Sequence, residues 1–552
     1  MNAVAFTDEG ATAVSTVAAE LATGQYYRDL NEYLETLERA GKLIRIRQPI
    51  NKDTEMHPLV RLQFRGLEEK DRKAWLFENI TDAKGRRYDM PLALCAMAGS
   101  SDIYALGLQC KVEEIPRRWD HAQRNPIAPR VVNSGPVHEV VLTGDDLKHR
   151  CLTRLPIPIS TPGFDNAPYT TASHWISKDP DSGLHNVGNY RGMLKSEHRI
   201  GVYPASPGWG MRRHIELWRE GGHARMPAAI VIGVPPAISY TAVTRLPNDV
   251  CEYDVAGGLA GHAIELVKCV TQDLLVPAQA QIVVEGFITT GEQEMEGPFG
   301  EFPGYMAARD YSWFMEVTAI TMRQKPIYQA FLSQFPPSES SKLRGIGWTA
   351  ACYDYLKTGG FDNVLEVHYP ETASAYGICL VRIRRRHDDD GARILEHLSQ
   401  KFVGKIAIVV DEDVDIQDPN AVYWALSYAM QPHRDVQVVD IPVMALDPSV
   451  APPGASRGLG EGEEKPRMSG LLIDATRDWP YPPVSLPAKE HMEHALALWK
   501  KFGLPELKLR KPWFGYNLGN WSKDEAEEAA LAARGDYFVT GEKQKNQRKR
   551  LK

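Results

Sequence analysis

The stretch MEGPFGEFPGYM, residues 295–306, decides how this chain is interpreted, because it holds two carboxylates on a backbone that cannot be helical. Glu296 and Glu301 flank a Gly-Pro-Phe-Gly turn. Pro298 lacks a backbone donor and has a fixed φ, and the glycines beside it reach conformations that are closed to residues with a Cβ. Such a turn is either a solvated surface loop or a rigid acid–base platform. Composition alone favours the surface loop.

Two carboxylates in a restricted site take different protonation states, because a charge on one disfavours a charge on the other. One of them can then donate a proton near neutral pH while the other stays charged. Glu296 and Glu301 are therefore candidates for an acid–base pair.

The turn lies in a β-rich region that extends over residues 131–338. Short strand-like runs, PAAIVIGV (227–234), QIVVEGFI (281–288) and FMEVTAITM (314–322), alternate there with Pro and Gly. This spacing favours a sheet curled into a barrel over βαβ repeats.

The regions on either side of this β-rich region show a different periodicity of hydrophobic residues. Residues 26–43 place leucines on one helical face and stop at Gly41, and residues 378–443 alternate between strand and helix patterns. The predicted division is a flexible N-terminal extension (1–25), an N-terminal α/β segment (26–130), a β-barrel domain (131–338), a linker helix (339–360), a C-terminal α/β domain (361–450), and a C-terminal stretch of loop, helices and basic tail (451–552).

Composition excludes several classes of protein. The chain has 552 residues and a net charge of -7, so two or three domains are expected and there is no electrostatic reason to bind nucleic acid. It contains no apolar run of the roughly 18 residues that a membrane span needs, and its first residues resemble no targeting peptide. We expect a cytoplasmic protein without a membrane partner.

The cysteines and the basic tail carry little functional information. The seven cysteines are scattered without a C-x-x-C pair, which argues against disulfides and thiolate zinc sites. Six of the last ten residues, 543–552, are Lys or Arg. A solvated end is favoured there over a phosphate-binding arm.

A second group of candidate residues lies upstream of the turn. Arg191, in HNVGNYRGMLKSEHR (185–199), sits among small and aromatic residues and suits bidentate recognition of a carboxylate or phosphate. His214 and Glu252 could ligate a divalent metal, but their spacing is too wide to argue this from sequence. A surface arginine and a structural histidine remain the alternatives.

Five motifs occur in an order that resembles the UbiD family of decarboxylases, which use prenylated FMN. The resemblance covers residues from about 27 to about 500 and implies an α+β fold: an N-terminal α/β segment, a split β-barrel that holds the flavin, a linker helix, and a C-terminal α/β domain for oligomer formation. The motifs are LPIPISTPGFDNAPYTTASHWISKDP (155–180), NVGNYR (186–191), CEYDVAGGLAG (251–261), EGPFGEFPGY (296–305) and IDATRDWP (473–480).

The resemblance assigns roles to the candidate residues. Arg191 would hold the substrate carboxylate, Glu296 would orient Arg191, and Glu301 would donate the proton that replaces carbon dioxide. Prenylated FMN would supply the electron sink that an sp² carbon needs, while the protein supplies placement and a proton.

The resemblance also implies a set of cofactor and metal contacts. Mn²⁺ or Mg²⁺ would bridge the protein to the flavin phosphate, with K⁺ beside it. The metal ligands would be Asn186, His214 and Glu252, and the cofactor-binding residues would be Asn186, Val187, Gly188, Arg191, Arg213, His214 and Glu252.

The expected reaction is reversible, non-oxidative decarboxylation of an aromatic or α,β-unsaturated acid. The long C-terminal extension with Trp513, Phe514 and Trp521 favours an aromatic dicarboxylate derivative such as phthaloyl-CoA. A free hydroxybenzoate-type, polycyclic or heteroaromatic acid is the alternative. A metal-dependent hydrolase and a non-catalytic flavin-binding module are further alternatives. Expected partners are a flavin prenyltransferase as cofactor supplier and further copies of the chain, as a homodimer or homohexamer.

Overall fold

The computed structural model describes residues 25–205, 207–444, 446–452 and 466–550. Apart from Gln25, the predicted N-terminal extension lies outside the described residues, and so does most of the predicted loop at 451–466. The described chain separates into two units. The first contains the described residues up to Tyr355, with those of Tyr369–Ile378 and Asp440–Ser469, and the second contains those of Leu356–His368, Cys379–Val439 and Gly470–Lys552.

The first helix, Leu30–Arg39, follows directly from the sequence. The side chain of Asp29 accepts a hydrogen bond from the backbone N of Glu32 at 3.0 Å and so caps the helix. The predicted leucine face is buried. The chain then turns at Gly41, whose φ of 67° favours glycine.

The N-terminal sheet of the first unit includes one strand from far along the chain. Its order is Leu43–Ile46, Ala74–Phe77, Leu92–Leu94 and Tyr328–Ala330. The last strand, Tyr328–Ala330, pairs in parallel with Leu92–Leu94. It directly precedes the segment that packs against the turn at residues 296–301. The helices of this unit are Leu30–Arg39, Met56–Gly66, Ser101–Gly107, Ile115–Arg124, Gly210–Glu220, Pro236–Ala242 and Glu252–Ala260. The helix Glu339–Thr358 begins in this unit, continues into the second, and lies in the range predicted as a linker helix.

The central sheet has eight strands, which pair with one another in antiparallel fashion. This arrangement agrees with the expectation of a curled sheet rather than βαβ repeats. The path runs through His185–Asn189, His174–Lys178, Arg225–Ile232, Ile282–Thr289, Asp310–Met322 and Arg199–Val202, and Glu294–Glu296 and Val140–Thr143 also pair with Asp310–Met322.

Smaller sheets surround the central one. They are formed by Ile50–Asn51, Ile80–Thr81 and Arg87–Tyr88; by Arg130–Val131, Glu265–Lys268 and Leu275–Pro277; by Tyr169–Thr170 with Gly192–Met193; and by Phe299–Gly300 with Met306–Ala307.

The five-stranded sheet of the C-terminal part contains two strands, Val364–His368 and Met468–Ala475, that the sequence patterns did not indicate. Its order is Val364–His368, Ile378–Ile383, Ile406–Asp411, Met468–Ala475 and Val436–Ile441. Met468–Ala475 pairs in parallel with Ile406–Asp411 and so separates two strands that the sequence places next to each other. The helices here are Asp390–Ser399, Pro419–Tyr428, Pro432–Asp435, Lys489–Lys501, Lys523–Ala533 and Tyr537–Lys545.

The predicted α+β fold class is confirmed, and two packing features agree with the composition. None of the seven cysteines forms a disulfide within the described residues, and five of them are buried. Among the described residues, no helix is both long and apolar enough to cross a bilayer.

Candidate active site

The turn between Glu296 and Glu301 is part of the folded interior. Glu296 ends a strand whose partner is Asp310–Met322, and the next two residues with strand geometry, Phe299–Gly300, pair with Met306–Ala307. The side chain of Glu296 is 0% exposed and that of Glu301 is 14% exposed. The surface-loop interpretation of this turn is therefore wrong.

Arg191 lies between the two glutamates. Its Nε donates to Glu296 Oε1 at 2.9 Å, its Nη2 donates to Glu296 Oε2, and its Nη1 donates to Glu301 Oε1. Two parallel hydrogen bonds to one carboxylate fix the plane of a guanidinium. The structure thus brings together the three residues predicted to be catalytic.

The surroundings of Arg191 favour its charged form. Burial lowers the pKa of Arg191, but the charges of Glu301 and Glu296 outweigh burial and raise that pKa above its usual range. The guanidinium also lies 4.2 Å from the ring centre of Tyr203 and 5.5 Å from that of Phe299. A cation held on aromatic faces loses less energy when it leaves water.

The loop at 161–166 holds the turn in place. Asn166 Nδ2 donates to the backbone oxygen of Gly297 at 2.7 Å, and the backbone N of Gly300 donates to Asp165 Oδ1 at 3.1 Å. Asp165 Oδ2 accepts from the backbone N of Thr161 at 2.6 Å. Burial raises the pKa of Asp165 to about 6. Sequence patterns gave no sign of the contacts to Gly297 and Gly300, because these join segments more than a hundred residues apart.

The predicted metal ligands meet at one cavity of the first unit. Asn186 lies on the strand His185–Asn189, His214 on the helix Gly210–Glu220, and Glu252 at the start of the helix Glu252–Ala260. All three line the cavity together with Arg213. Among the described residues no group of three His, Cys, Asp or Glu side chains could hold a metal, so this set depends on the amide of Asn186.

The donor set fits a hard divalent cation. Asn186 Nδ2 is buried without a hydrogen-bond partner in the described chain, and burial raises the pKa of Glu252 to about 7. Glu252 Oε2 accepts from the backbone N of Val187 at 2.8 Å, which fixes one of its oxygens. One carboxylate, one amide and one imidazole suit manganese or magnesium.

The imidazole of His214 is oriented by a neighbouring hydroxyl. Ser177 Oγ lies 2.9 Å from His214 Nδ1, so Nε2 is the nitrogen left for a ligand. Burial lowers the pKa of His214 to about 4, which keeps the ring neutral. The sequence gave no indication that Ser177 contacts His214.

The other predicted cofactor contacts lie close by. Arg213 Nη1 donates to Asp179 Oδ2 at 2.9 Å. A Cβ at Gly188 would collide with the ring of Tyr190, so the backbone approaches closely there. The structure therefore places the residues predicted to bind the metal and the cofactor around one cavity. It places Arg191 with Glu296 and Glu301 at the turn.

Protein-family models match most of the chain. They are described as the N-terminal domain, the Rift-related domain and the C-terminal domain of 3-octaprenyl-4-hydroxybenzoate carboxy-lyase, and they match residues 34–122, 130–335 and 343–475 respectively.

Solved structures are similar over nearly their whole length. An evolved dimeric form of the UbiD-class enzyme HmfF from Pelotomaculum thermopropionicum, in complex with prenylated FMN, is 29% identical, with a TM-score of 0.70, over 84% of this chain and 97% of that chain. The vanillic acid decarboxylase of Sedimentibacter hydroxybenzoicus in its closed form is 27% identical, with a TM-score of 0.72, over 87% of this chain and 100% of that chain. The apo 3,4-dihydroxybenzoic acid decarboxylase from Enterobacter cloacae is 23% identical, with a TM-score of 0.72, over 88% and 98%, and it shows the fold alone.

Proposed function

This chain belongs to the UbiD family of prenylated-FMN-dependent decarboxylases, and we propose that it reversibly decarboxylates an aromatic dicarboxylate derivative such as phthaloyl-CoA. The observation that carries the proposal is the buried arrangement of Arg191 between Glu296 and Glu301. Each of these residues takes a separate role.

Arg191 binds the carboxylate that is to be lost. A guanidinium has five N–H donors, of which Glu296 takes two and Glu301 takes one. The remaining two donors, one on each terminal nitrogen, can bind a substrate carboxylate. Glu296 has both oxygens on Arg191, so it acts as a positioning residue and not as an acid.

Glu301 delivers the proton that replaces carbon dioxide. Its Oε1 accepts from Arg191 Nη1, so Oε2 is the atom that would carry the proton. Glu301 remains partly exposed, which allows it to take up a new proton from water after each turnover. A positioned acid of this kind typically contributes a factor of about 10²–10⁴ in rate.

Asn186, His214 and Glu252 would hold Mn²⁺ or Mg²⁺, K⁺ would be a second bound cation, and Val187, Gly188 and Arg213 would complete the cofactor-binding site. Their donor set supports the metal assignment, and the unpartnered Nδ2 of Asn186 is an N–H donor that suits an acceptor oxygen of the cofactor. When bound, prenylated FMN supplies the electron sink that an aromatic carbon needs as it loses carbon dioxide.

A substrate with a second oxygen-bearing group, such as an aromatic dicarboxylate derivative, is supported by a cation near the acid. Arg344 stacks on the ring of Phe302 at 4.1 Å, and the charge of Glu301 acts on it. Among the described residues, none forms a hydrogen bond or an ion pair with Arg344. It is therefore available for a second oxygen-bearing group of the substrate.

A free hydroxybenzoate-type acid is the second candidate, because the chain is 27% identical to a vanillic acid decarboxylase. Both candidates can be tested with enzyme expressed alongside a flavin prenyltransferase, which we propose as the cofactor supplier. Product formation from phthaloyl-CoA is compared with that from free phthalate, vanillate and 4-hydroxybenzoate. Turnover of the thioester supports the first candidate, and turnover of only free acids discards it.

We further propose that the enzyme works as a homodimer or homohexamer. The similarity to a HmfF variant described as dimeric supports self-association. Mass photometry of the purified holoenzyme distinguishes these assemblies from a monomer.

A further inference from the structure

The loop at residues 333–337 packs directly against the turn that carries the acid. A Cβ at Gly300 would lie 2.6 Å from Gln334 Cγ, and a Cβ at Gly304 would lie 3.1 Å from Phe335 Cδ2. The two glycines flank the acid in sequence. Glycine is required at both places because the backbone of the turn approaches the loop too closely for a larger residue.

One side chain from outside the turn holds this loop. Arg61 Nη1 donates to the backbone oxygens of Phe335 and Pro337, at 2.7 and 3.3 Å. Arg61 Nη2 donates to the backbone oxygen of Ser333, and to Gln334 Oε1 at 3.1 Å. One guanidinium therefore contacts four oxygens of the loop.

The loop lacks regular secondary structure of its own. Residues 333–337 belong to no helix or strand, and Pro336 and Pro337 have no backbone N–H to donate. The backbone oxygens of the loop need donors from elsewhere in the molecule. The guanidinium of Arg61 supplies several donors in one rigid plane, so it fixes the shape of the loop as well as its position.

The charge of Arg61 is directed at this loop and not at an acid. Among the described residues it forms no ion pair with a carboxylate, and burial lowers the pKa of Arg61 to about 10, which leaves it charged at neutral pH. A partly buried cation without an acid costs free energy. Its hydrogen bonds to the loop offset that cost, and hydrogen bonds from a charged donor are stronger than those from a neutral one.

The turn responds to the loop as one compact unit. The backbone N of Glu301 donates to the oxygen of Tyr305, and the backbone N of Gly304 donates to the oxygen of Glu301, both at 2.9 Å. A displaced loop therefore releases the whole turn, and with it the acid. A shift of about 1 Å in a reacting group can cost about a hundredfold in rate.

We propose that Arg61 is a positioning residue for decarboxylation: it holds the loop at residues 333–337 against the turn, and the turn in this way keeps Glu301 where proton delivery needs it. This inference rests on the proposed decarboxylase function and extends it to a residue that does not touch the substrate. Arg61 acts on the rate of proton delivery, while Arg191 and Glu296 bind the substrate carboxylate independently of it.

Hydrogen exchange followed by mass spectrometry tests the contact without relying on activity. In Arg61→Met, the peptide that covers residues 296–306 should exchange its backbone amides about tenfold faster than in the wild-type enzyme. Unchanged exchange in this peptide overturns the proposal.

Arg65→Met is the matched control. Arg65 lies one turn further along the same helix, Met56–Gly66, and stacks on Phe335 at 5.0 Å. Among the described residues it forms no hydrogen bond with the loop. The exchange and the rate of Arg65→Met should both stay at the wild-type level.

Kinetics of the holoenzyme test the effect on the acid. Per bound flavin, Arg61→Met should lower kcat at least about tenfold and leave KM within about twofold. The solvent isotope effect on kcat in D₂O should rise, because proton delivery becomes slower. Arg61→Met added to Glu301→Gln should cause no further loss, since Arg61 acts through that acid. Faster exchange with an unchanged kcat, or a full further loss in the double variant, contradicts the positioning role.

Arg61→Lys supplies both measurements if Arg61→Met does not fold. One ammonium cannot contact four oxygens spread along the loop, so the same changes are expected at a smaller size. Failure of the decarboxylase function is distinguishable from failure of this proposal. In the first case the wild-type enzyme turns over no aromatic acid, and the exchange measurement still reports whether Arg61 holds the turn.

Discussion

Arg191 and Glu296 form a buried bidentate ion pair. Arg191 Nε lies 2.9 Å from Glu296 Oε1, and Arg191 Nη2 donates to Glu296 Oε2. The side chains are 7% and 0% exposed. Because both carboxylate oxygens are occupied, Glu296 holds the arginine and cannot act as the acid.

Replacing Arg191 by methionine should destabilise the protein strongly. Glu296 and Glu301 would be left close together without their cation, and breaking a buried pair costs about 3–5 kcal/mol. We expect a clear fall in the melting temperature of Arg191→Met. The double variant Arg191→Met/Glu296→Leu should recover part of this loss, because it removes the uncompensated charge.

Arg199→Met is the control for this prediction, since Arg199 is 42% exposed in its pair with Glu294. Exposed pairs contribute about 0–1 kcal/mol. An equal fall in melting temperature for Arg199→Met and Arg191→Met would contradict the argument.

Glu301→Gln should lower the decarboxylation rate at least about a hundredfold, because glutamine cannot donate the proton. Flavin content should stay at the wild-type level. Initial rates at saturating substrate and flavin absorbance measure the two effects. Glu294→Gln is the control on the same segment and should keep its rate. Retention of the wild-type rate by Glu301→Gln would remove Glu301 from its role.

Ser177→Ala should weaken Mn²⁺ binding by about tenfold. The hydroxyl of Ser177 orients His214, and loss of a group that orients a metal ligand typically costs 10–100-fold in affinity. Equilibrium dialysis with elemental analysis gives the dissociation constant. Ser239→Ala is a close match, because Ser239 Oγ lies 2.9 Å from the buried His174 outside the predicted metal set. Equal affinities in the two variants would contradict the assignment of His214.

Asp165→Asn should alter how stability depends on pH. Burial raises the pKa of Asp165 to about 6, so between about pH 4 and pH 6 the folded state binds this proton more tightly than the unfolded state. The contribution of Asp165 to stability is thus fully present below its unfolded pKa and is lost as the pH rises through about 6.

The melting temperature of Asp165→Asn relative to wild type should therefore rise between pH 4 and pH 6.5, by about 2 °C or more. Thermal melts across that range measure it. A difference that stays constant with pH would show that Asp165 does not titrate there.

Local patterns were sufficient for much of the fold. The run 281–288 contains nearly the whole strand Ile282–Thr289, and the run 378–383 matches the strand Ile378–Ile383. A capping box opens the helix Lys523–Ala533, with Glu525 N donating to Ser522 Oγ at 3.2 Å. These features depend on residues close in sequence. The strand Met468–Ala475 was not predicted, because its place in the sheet depends on a parallel partner distant in sequence, with Leu471 opposite Ile406.

The site could be predicted only in part, for the same reason. Glu296 and Glu301 stand out because a turn separates them, but their pairing with Arg191 spans more than a hundred residues. That pairing was expected only from the resemblance to a family. Asp165 and Ser177 lie within the motif at 155–180, but they act through long-range hydrogen bonds whose partners no periodicity or motif identifies.

The origin of the new ring proton tests the central claim most directly. Holoenzyme and an accepted aromatic acid are incubated in D₂O, and the product is analysed by NMR and mass spectrometry. The wild-type enzyme should place one deuterium on the carbon that carried the carboxylate, and Glu301→Gln should form this labelled product at least about a hundredfold more slowly. Labelled product formed at the wild-type rate by Glu301→Gln, or product without deuterium at that carbon, would contradict delivery of the proton by Glu301.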